Sequence, residues 1–506
     1  MAHSTEADGR DVRRSAGILL HPTSLPGSYG IGDLGDELVA FLDWAASAGM
    51  HIWQVLPLNP PGYGNSPYNC LSSVGGNPFL ISPQRLLQDG LLTAESVSKV
   101  PEFSADHVEF DRVVVWKMGL LREAFKRFEE QGLSDLKNAF EAFDKAPEER
   151  EWLDDFALFM TLKKESGGQP WWMWDKSLAQ RDEKALKKAR RDFAGEIRFR
   201  KFLQFIFFRQ WRSVRETARA RGIRIMGDIP IYVAADSVDV WANRELFELD
   251  ERGQPTVVAG VPPDYFSATG QRWGNPLYRW NVLHDQQYKW WITRIRMNLQ
   301  LADLIRLDHF RGFAAYWEIP AHEPTAIHGR WMPGPGKALF DAIRGALGDL
   351  PLVAEDLGFI TPEVHELRHA IGVPGMKILQ FGFSQPDSTH LPHRFHPHTV
   401  AYTGTHDNDT ARGWFAQAPE HERDNARMYL GDDCRDVAWA LVRAAYTSVA
   451  ETAIVPAQDI LGLGPEARMN LPGAEHDNWS WRLASGGLTR EQAERLRRLA
   501  EITGRI

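Results

Sequence analysis

At 506 residues, with a formal net charge of −9 and a sequence pI near 6.0, the chain carries no basic field to attract a phosphate backbone, which sets nucleic acid aside as a partner. Cys70 and Cys434 are too few for a disulfide framework and form no Cys-x-x-Cys pair, so free thiols in a reducing compartment are expected. The polar, charged start of the chain and the lack of any run near the roughly 20 apolar residues that span a bilayer predict a soluble cytoplasmic protein with no membrane contact.

Short apolar strands alternate with amphipathic helices along the chain. Residues 17–21 form the first predicted strand, followed by a helix with Leu38, Phe41, Leu42 and Ala45 at helical spacing, and residues 52–57 form the second. After a long helix carrying Phe199, Phe202, Leu203, Ile206 and Trp211, residues 223–228 form the third. The fourth ends at Asp308 and the fifth at Glu355; the sixth covers residues 376–381, the seventh ends near Asp407 and the eighth covers residues 452–456. Eight strands separated mostly by helices predict an α/β fold, a (β/α)8 TIM barrel rather than an open sheet, with residues 1–506 as one catalytic body. Two long gaps mark insertions: a mostly helical one over 60–215, and a loop-rich one over 230–285 that lies over the barrel mouth.

Carboxylates stand at the ends of four of these strands: Asp228, Asp308, Glu355 and Asp407. In Arg306-Leu307-Asp308-His309-Phe310-Arg311-Gly312 the guanidinium and the first carboxylate are two residues apart, so they project from one face of a strand. A lone strand-end aspartate is commonly a helix cap or an ion-pair partner, but the C-terminal strand ends of a barrel converge, and four together predict one acidic centre. Such a cluster suits glycosidic bond exchange through a covalent intermediate. One carboxylate attacks the anomeric carbon while a protonated one gives its proton to the leaving oxygen, the two standing roughly 5–5.5 Å apart in a retaining pair. Nearby negative charge keeps the acid protonated, and Arg306 favours the ionised form of Asp308.

That run, together with Ala354-Glu355-Asp356-Leu357-Gly358 and Gly404-Thr405-His406-Asp407-Asn408-Asp409-Thr410, resembles the motifs of the 4-α-glucanotransferases (amylomaltases, or disproportionating enzymes) of glycoside hydrolase family 77. So do Gly227-Asp228-Ile229-Pro230-Ile231-Tyr232-Val233 and Gly260-Val261-Pro262-Pro263-Asp264-Tyr265-Phe266-Ser267, and the likeness runs from residue 17 to residue 482. The resemblance implies an α-amylase-type barrel with inserted subdomains and no C-terminal β-sandwich. It implies Asp308 as nucleophile, Glu355 as general acid/base and Asp407 as the carboxylate that holds sugar hydroxyls and stabilises the transition state. Arg306 would orient Asp308, while Asp228, His406, Trp273, Tyr68, Phe381 and Asn408 would contact sugars. Its partners would be α-1,4-glucans, maltooligosaccharides and glucose, with no cofactor and a monomer favoured. After Asp228 the chain has Ile-Pro-Ile-Tyr where many amylases carry an Asn-His pair, which agrees with the glucanotransferase branch and predicts no required calcium or other metal.

Aromatic side chains add a second signal, because their flat faces match the apolar faces of glucose rings. Trp273 falls in the Gly/Pro-punctuated stretch 253–276, read as a loop over the mouth, whereas Trp211, Trp290 and Trp291 lie on helical patterns that pack. Trp171, Trp172 and Trp174 are open between glucan contact and subdomain packing. His390, His393, His396 and His398 crowd a Pro-rich loop rather than a strand end, which argues against a metal-dependent barrel hydrolase. A non-catalytic glucan-binding protein would not need Asp308, Glu355 and Asp407 together; a retaining α-glucan hydrolase would, and differs only in whether water or a sugar resolves the intermediate.

Overall fold

The strands of the computed structural model, which describes residues 14–131, 134–263, 267–431, 436–474 and 476–506, fall into two sheets. Cys434 and the Asp264-Tyr265-Phe266 part of the motif that begins at Gly260 lie outside the described residues. In chain order the strands are Ser15–Leu19 (β1), Ile52–Gln54 (β2), Arg224–Pro230 (β3), Val257–Val261 (β4), Gln271–Pro276 (β5), Leu304–Asp308 (β6), Ala315–Pro320 (β7), Arg330–Pro333 (β8), Leu352–Ala354 (β9), Gly375–Ile378 (β10), Thr399–Tyr402 (β11) and Thr452–Pro456 (β12).

The larger sheet has the order β10-β11-β12-β1-β2-β3-β6-β9, every pairing parallel. The Ala354 N–H donates to the carbonyl of Pro374, just before β10, at 2.9 Å, which joins the two ends and closes a (β/α)8 barrel. The Asp356 carboxylate reinforces that seam by accepting the Met376 N–H at 2.7 Å. Strand residues such as Ile18, Ile225, Ile305 and Ile454 are fully buried, as expected for parallel strands covered on both faces. The helix Ala194–Ala220 crosses from β2 to β3 and buries Phe199, Phe202, Leu203, Ile206 and Trp211; each such side chain contributes about 1.5–3 kcal/mol. At the far end of the chain Arg505 is fully buried and donates to the carbonyls of Ser15, Ala445, Tyr446, Ser448, Ala450 and Glu451, tying the last helix, Arg490–Ile502, to the start of β1.

Several strand bounds differ from expectation: β1 covers Ser15–Leu19 rather than 17–21, β2 stops at Gln54 rather than at 57, and β9 stops at Ala354, one residue before Glu355. β3 runs on through Asp228 to Pro230, and β10 stops at Ile378, after which Leu379–Gly382 winds into a short 3-10 turn. β11 stops at Tyr402, so Asp407 stands on the loop beyond the strand rather than at its end. The second sheet, antiparallel in the order β5-β4-β7-β8, was not anticipated: the stretch expected as a loop around Trp273 holds β4 and β5, and Trp273 itself is on β5. Between β2 and β3 lie the helices Phe110–Glu130, Leu153–Glu165 and Glu183–Asp192. There Trp171 is fully buried, its ring N–H donating to the Ala235 carbonyl at 2.8 Å, and a Cβ on Gly253 would stand 2.1 Å from its ring. Trp174 packs on Phe159 and Trp241, so these two tryptophans serve packing. No helix among the described residues is long and apolar enough to cross a membrane.

Candidate active site

The C-terminal ends of β3, β6 and β9 bring the acidic groups together because the strands are neighbours in register: Asp228 pairs with Arg306, Pro230 with Asp308, and Leu307 with Ala354. Arg306 is buried and its planar fork is divided. Nη1 donates to Asp228 Oδ2 at 2.6 Å and Nη2 to Asp308 Oδ1 at 2.8 Å. Tyr68 donates its hydroxyl to the same Asp228 oxygen at 2.7 Å, and its ring stacks on His406 with centroids 5.0 Å apart and planes within 9°. His406 Nε2 lies 3.4 Å from Asp407 Oδ2. A continuous chain of contacts thus links Asp308, Arg306, Asp228, Tyr68, His406 and Asp407.

Glu355 is fixed by backbone donors. The His309 N–H reaches its Oε2 at 2.7 Å and the Leu357 N–H its Oε1 at 3.2 Å. To present that N–H, His309 adopts φ 52°, ψ 49°, a left-handed conformation that costs a non-glycine residue roughly 1–2 kcal/mol. Gly312 completes the turn where a Cβ would stand 2.8 Å from Ile231 and 3.1 Å from the His309 ring. Trp273 sets its ring edge-on against His309, centroids 4.7 Å apart, and remains 39% exposed, so it does stand beside the acidic centre although it is carried by a strand.

Burial raises the carboxyl of Asp308; Arg306 opposes this, but Asp228 adds to it, and the half of the guanidinium bound to Asp228 is shared rather than spent on Asp308. Arg306 favours the ionised form of Asp308, against the pull of desolvation. Burial raises Glu355 well above the usual range, and the charge of Asp308 pushes it further. Glu355 has no guanidinium bonded to it, whereas Asp308 does, which favours the charge on Asp308 and the proton on Glu355. Burial also lowers His406, which keeps its ring neutral, with Asp407 pulling the other way. Such a pair, one ionised carboxylate and one protonated acid, is equipped for displacement at an acetal carbon.

Other expected contacts are placed differently. The Asp228 side chain is 0% exposed, beneath Arg306 and Tyr68, and its Oδ2 accepts from both. Asn408 uses its Oδ1 to accept from the Thr405 N–H at 2.9 Å and from the Thr405 hydroxyl at 3.0 Å, which shapes the loop after β11. Phe381 sits on the turn after β10, exposed, with its ring edge on His390 rather than on the acidic chain. His390 accepts the Ile378 N–H and His393 meets the Tyr429 hydroxyl, so both have local partners; among the described residues no three His, Cys, Asp or Glu side chains gather as a metal site.

Sequence reasoning missed the supports of Asp407 and His406. Asn470 donates to Asp407 Oδ1 at 2.6 Å, Arg468 donates to the Asp407 carbonyl at 2.6 Å, and Trp479 flanks both Tyr68 and His406. All three follow the last barrel strand, far from any carboxylate motif, and only their nearness to the end of the resemblance could have drawn attention to them.

Comparison with known proteins agrees with this geometry. A family model described as 4-alpha-glucanotransferase matches residues 20–489. The chain is 50% identical to the 4-alpha-glucanotransferase of Thermus thermophilus over 98% of its own length and 100% of that protein, and 48% identical to that of Synechocystis over 97% and 98%. A solved amylomaltase from Streptococcus agalactiae in complex with acarbose superposes with a TM-score of 0.94 at 37% identity, covering 97% of this chain and 100% of that one. With a family model spanning nearly the whole chain and full-length relatives at half identity, the chain belongs to the 4-alpha-glucanotransferase family.

Proposed function

We propose that the chain moves α-1,4-glucan segments from a donor to the 4-hydroxyl of an acceptor glucan or glucose by a retaining double displacement centred on Asp308 and Glu355. The observation that carries this reading is the unequal treatment of two half-buried carboxyls at the ends of adjacent strands: Arg306 bonds Asp308, whereas backbone N–H groups alone hold Glu355. In the first half, Asp308 attacks the anomeric carbon with Oδ2, because Oδ1 is held by Arg306. A carbon–oxygen ester bond forms, the glycosidic bond breaks, and the Glu355 proton passes to the departing 4-oxygen. In the second half the Glu355 carboxylate takes the proton from the acceptor 4-hydroxyl, whose oxygen attacks the same carbon and releases Asp308.

Asp407, held by Asn470 and beside His406, is assigned to the hydroxyls of the reacting sugar, where its charge stabilises positive character on the ring. Trp273, edge-on to His309 and half-open to solvent, is assigned to the acceptor side, where a ring face receives the incoming sugar and displaces water. A retaining hydrolase shares the first half and differs in the second. Incubation of the pure protein with maltotriose separates the two: a ladder of longer and shorter maltooligosaccharides with glucose is expected, and products shorter than the substrate alone would mean hydrolysis.

A further inference from the structure

Behind the His406 ring lies a small cavity of about 30 Å³, and its wall includes His21, Ser24, Thr405, His406, Arg468 and Asp459. Two ring nitrogens of these wall residues, His21 Nδ1 and His406 Nδ1, are buried and have no hydrogen-bond partner within the protein. An unpaired buried polar atom is costly, so two beside one small cavity call for an occupant that can serve both. The volume suits one water molecule, which needs about 10–15 Å³ of such space and two to four polar partners.

We propose that this cavity is a structural water site, and that His21 is a positioning residue which acts through that water to fix the tautomer of His406. The argument turns on which ring nitrogen of His406 bears the proton. Burial keeps both imidazoles neutral, so each ring has one N–H and one acceptor nitrogen. His406 Nε2 faces Asp407 Oδ2 at 3.4 Å, a carboxylate that only accepts, so the proton belongs on Nε2 and Nδ1 must be an acceptor. A water in the cavity donates one hydrogen to His406 Nδ1 and the other to His21 Nδ1, while its lone pairs remain for a donor of the wall such as the Thr405 hydroxyl or Arg468. With Nδ1 capped by a donor, moving the proton from Nε2 to Nδ1 would set two hydrogens against each other and leave Asp407 facing a bare nitrogen. His21 sits on the segment after β1 and His406 on the loop after β11, so the site couples two segments at the same end of the barrel.

The inference rests on the assignment of Asp407 to sugar hydroxyls, and its test is chosen to read the tautomer separately from activity. Nitrogen-15 correlation spectra of histidine-labelled protein report the protonated nitrogen of His406, assigned by loss of its signals in His406→Gln. In the wild type the Nε2–H form is expected. In His21→Leu, which removes the acceptor but keeps apolar bulk, a tautomer mixture and a fall in kcat of about tenfold with KM little changed are expected, while His21→Asn, which restores an acceptor, recovers both. A single Nε2–H form and wild-type kcat in His21→Leu, or equal damage in His21→Asn and His21→Leu, would overturn the proposal. Should His21→Leu fail to fold, a crystal structure of the wild type at a resolution that orders internal water decides the matter: density within hydrogen-bond distance of both Nδ1 atoms supports it, and a dry cavity refutes it. Loss of transferase chemistry in the wild type itself would instead count against the reading of Asp407.

Discussion

Replacing Arg306 by Lys tests the electrostatic core of the site, because it preserves charge while removing the fork. In the structure one guanidinium serves two carboxylates, at 2.6 Å to Asp228 and 2.8 Å to Asp308. A lysine ammonium is a single compact donor group on a different stem and cannot reproduce both bonds with that geometry. A hydrogen bond to a charged group contributes about 1.5–3 kcal/mol, so losing the arm to Asp308 predicts a fall in kcat/KM of about 10- to 150-fold. The sign of the pH effect follows from the same bond. Burial already raises Asp308 above an ordinary carboxylate, and the arm of Arg306 opposes that rise, so its loss raises Asp308 further. The ionised fraction at mildly acidic pH then drops, and the acid limb of the kcat/KM profile moves to higher pH. Glucose release from maltotriose, measured as initial rates across pH, reads both quantities, with thermal melting as a control for folding. A variant within threefold of the wild type, with its acid limb unmoved, would refute the claim that Arg306 sets the ionisation of Asp308.

Three further outcomes are expected. Trp273→Ala should lower glucosyl transfer and raise the share of hydrolysis, most at low acceptor concentration; an equal loss of both activities would make Trp273 a donor-side or structural residue instead. Asn470→Ala removes the 2.6 Å bond to Asp407 and should cut kcat/KM about tenfold, the low end for a hydrogen bond to a charged group, with the melting temperature nearly unchanged. In the wild type, the alkaline limb of activity should lie well above the range of an ordinary glutamate, since burial and Asp308 raise Glu355 and activity is lost as pH rises through its folded value; in Glu355→Gln, assayed with a fluoride donor, that limb should vanish.

How far the sequence could be read depended on how local each signal is. The apolar runs of β6, β9 and β12 and the carboxylates at Asp308 and Glu355 were legible because strand hydrophobicity and strand ends are local properties. Asp407 was found but misplaced, since Thr403-Gly404-Thr405 interrupts the apolar run and the chain leaves the barrel at Tyr402. The antiparallel sheet escaped notice because its strands are short, rich in Gly, Pro and Arg, and come from two separated segments of the chain, so no single window shows a period. Nothing in the order of residues distinguishes Asp228, whose side chain is sealed beneath Arg306, from Asp308, which is part open, because exposure is decided by what neighbouring strands lay over each. Likewise the left-handed turn at His309, which aims its N–H at Glu355, is a backbone property that the side chain does not advertise. Asn470, Arg468 and Trp479 reach the site only because the segment after β12 folds back across the barrel mouth.

The central claim, that Asp308 becomes covalently bound to the sugar while Glu355 handles protons, is tested most directly by trapping the intermediate. Glu355→Gln should be inert toward maltotriose but should accept α-maltosyl fluoride, whose leaving group departs without a proton, and the adduct should persist because no base remains to activate an acceptor. Intact-mass spectrometry of the quenched variant is predicted to show one added maltosyl unit, and peptide mapping to place it on Asp308. A folded Glu355→Gln protein that turns over maltotriose normally, or that carries the sugar on another residue, or that carries none after exposure to the fluoride, would contradict the account.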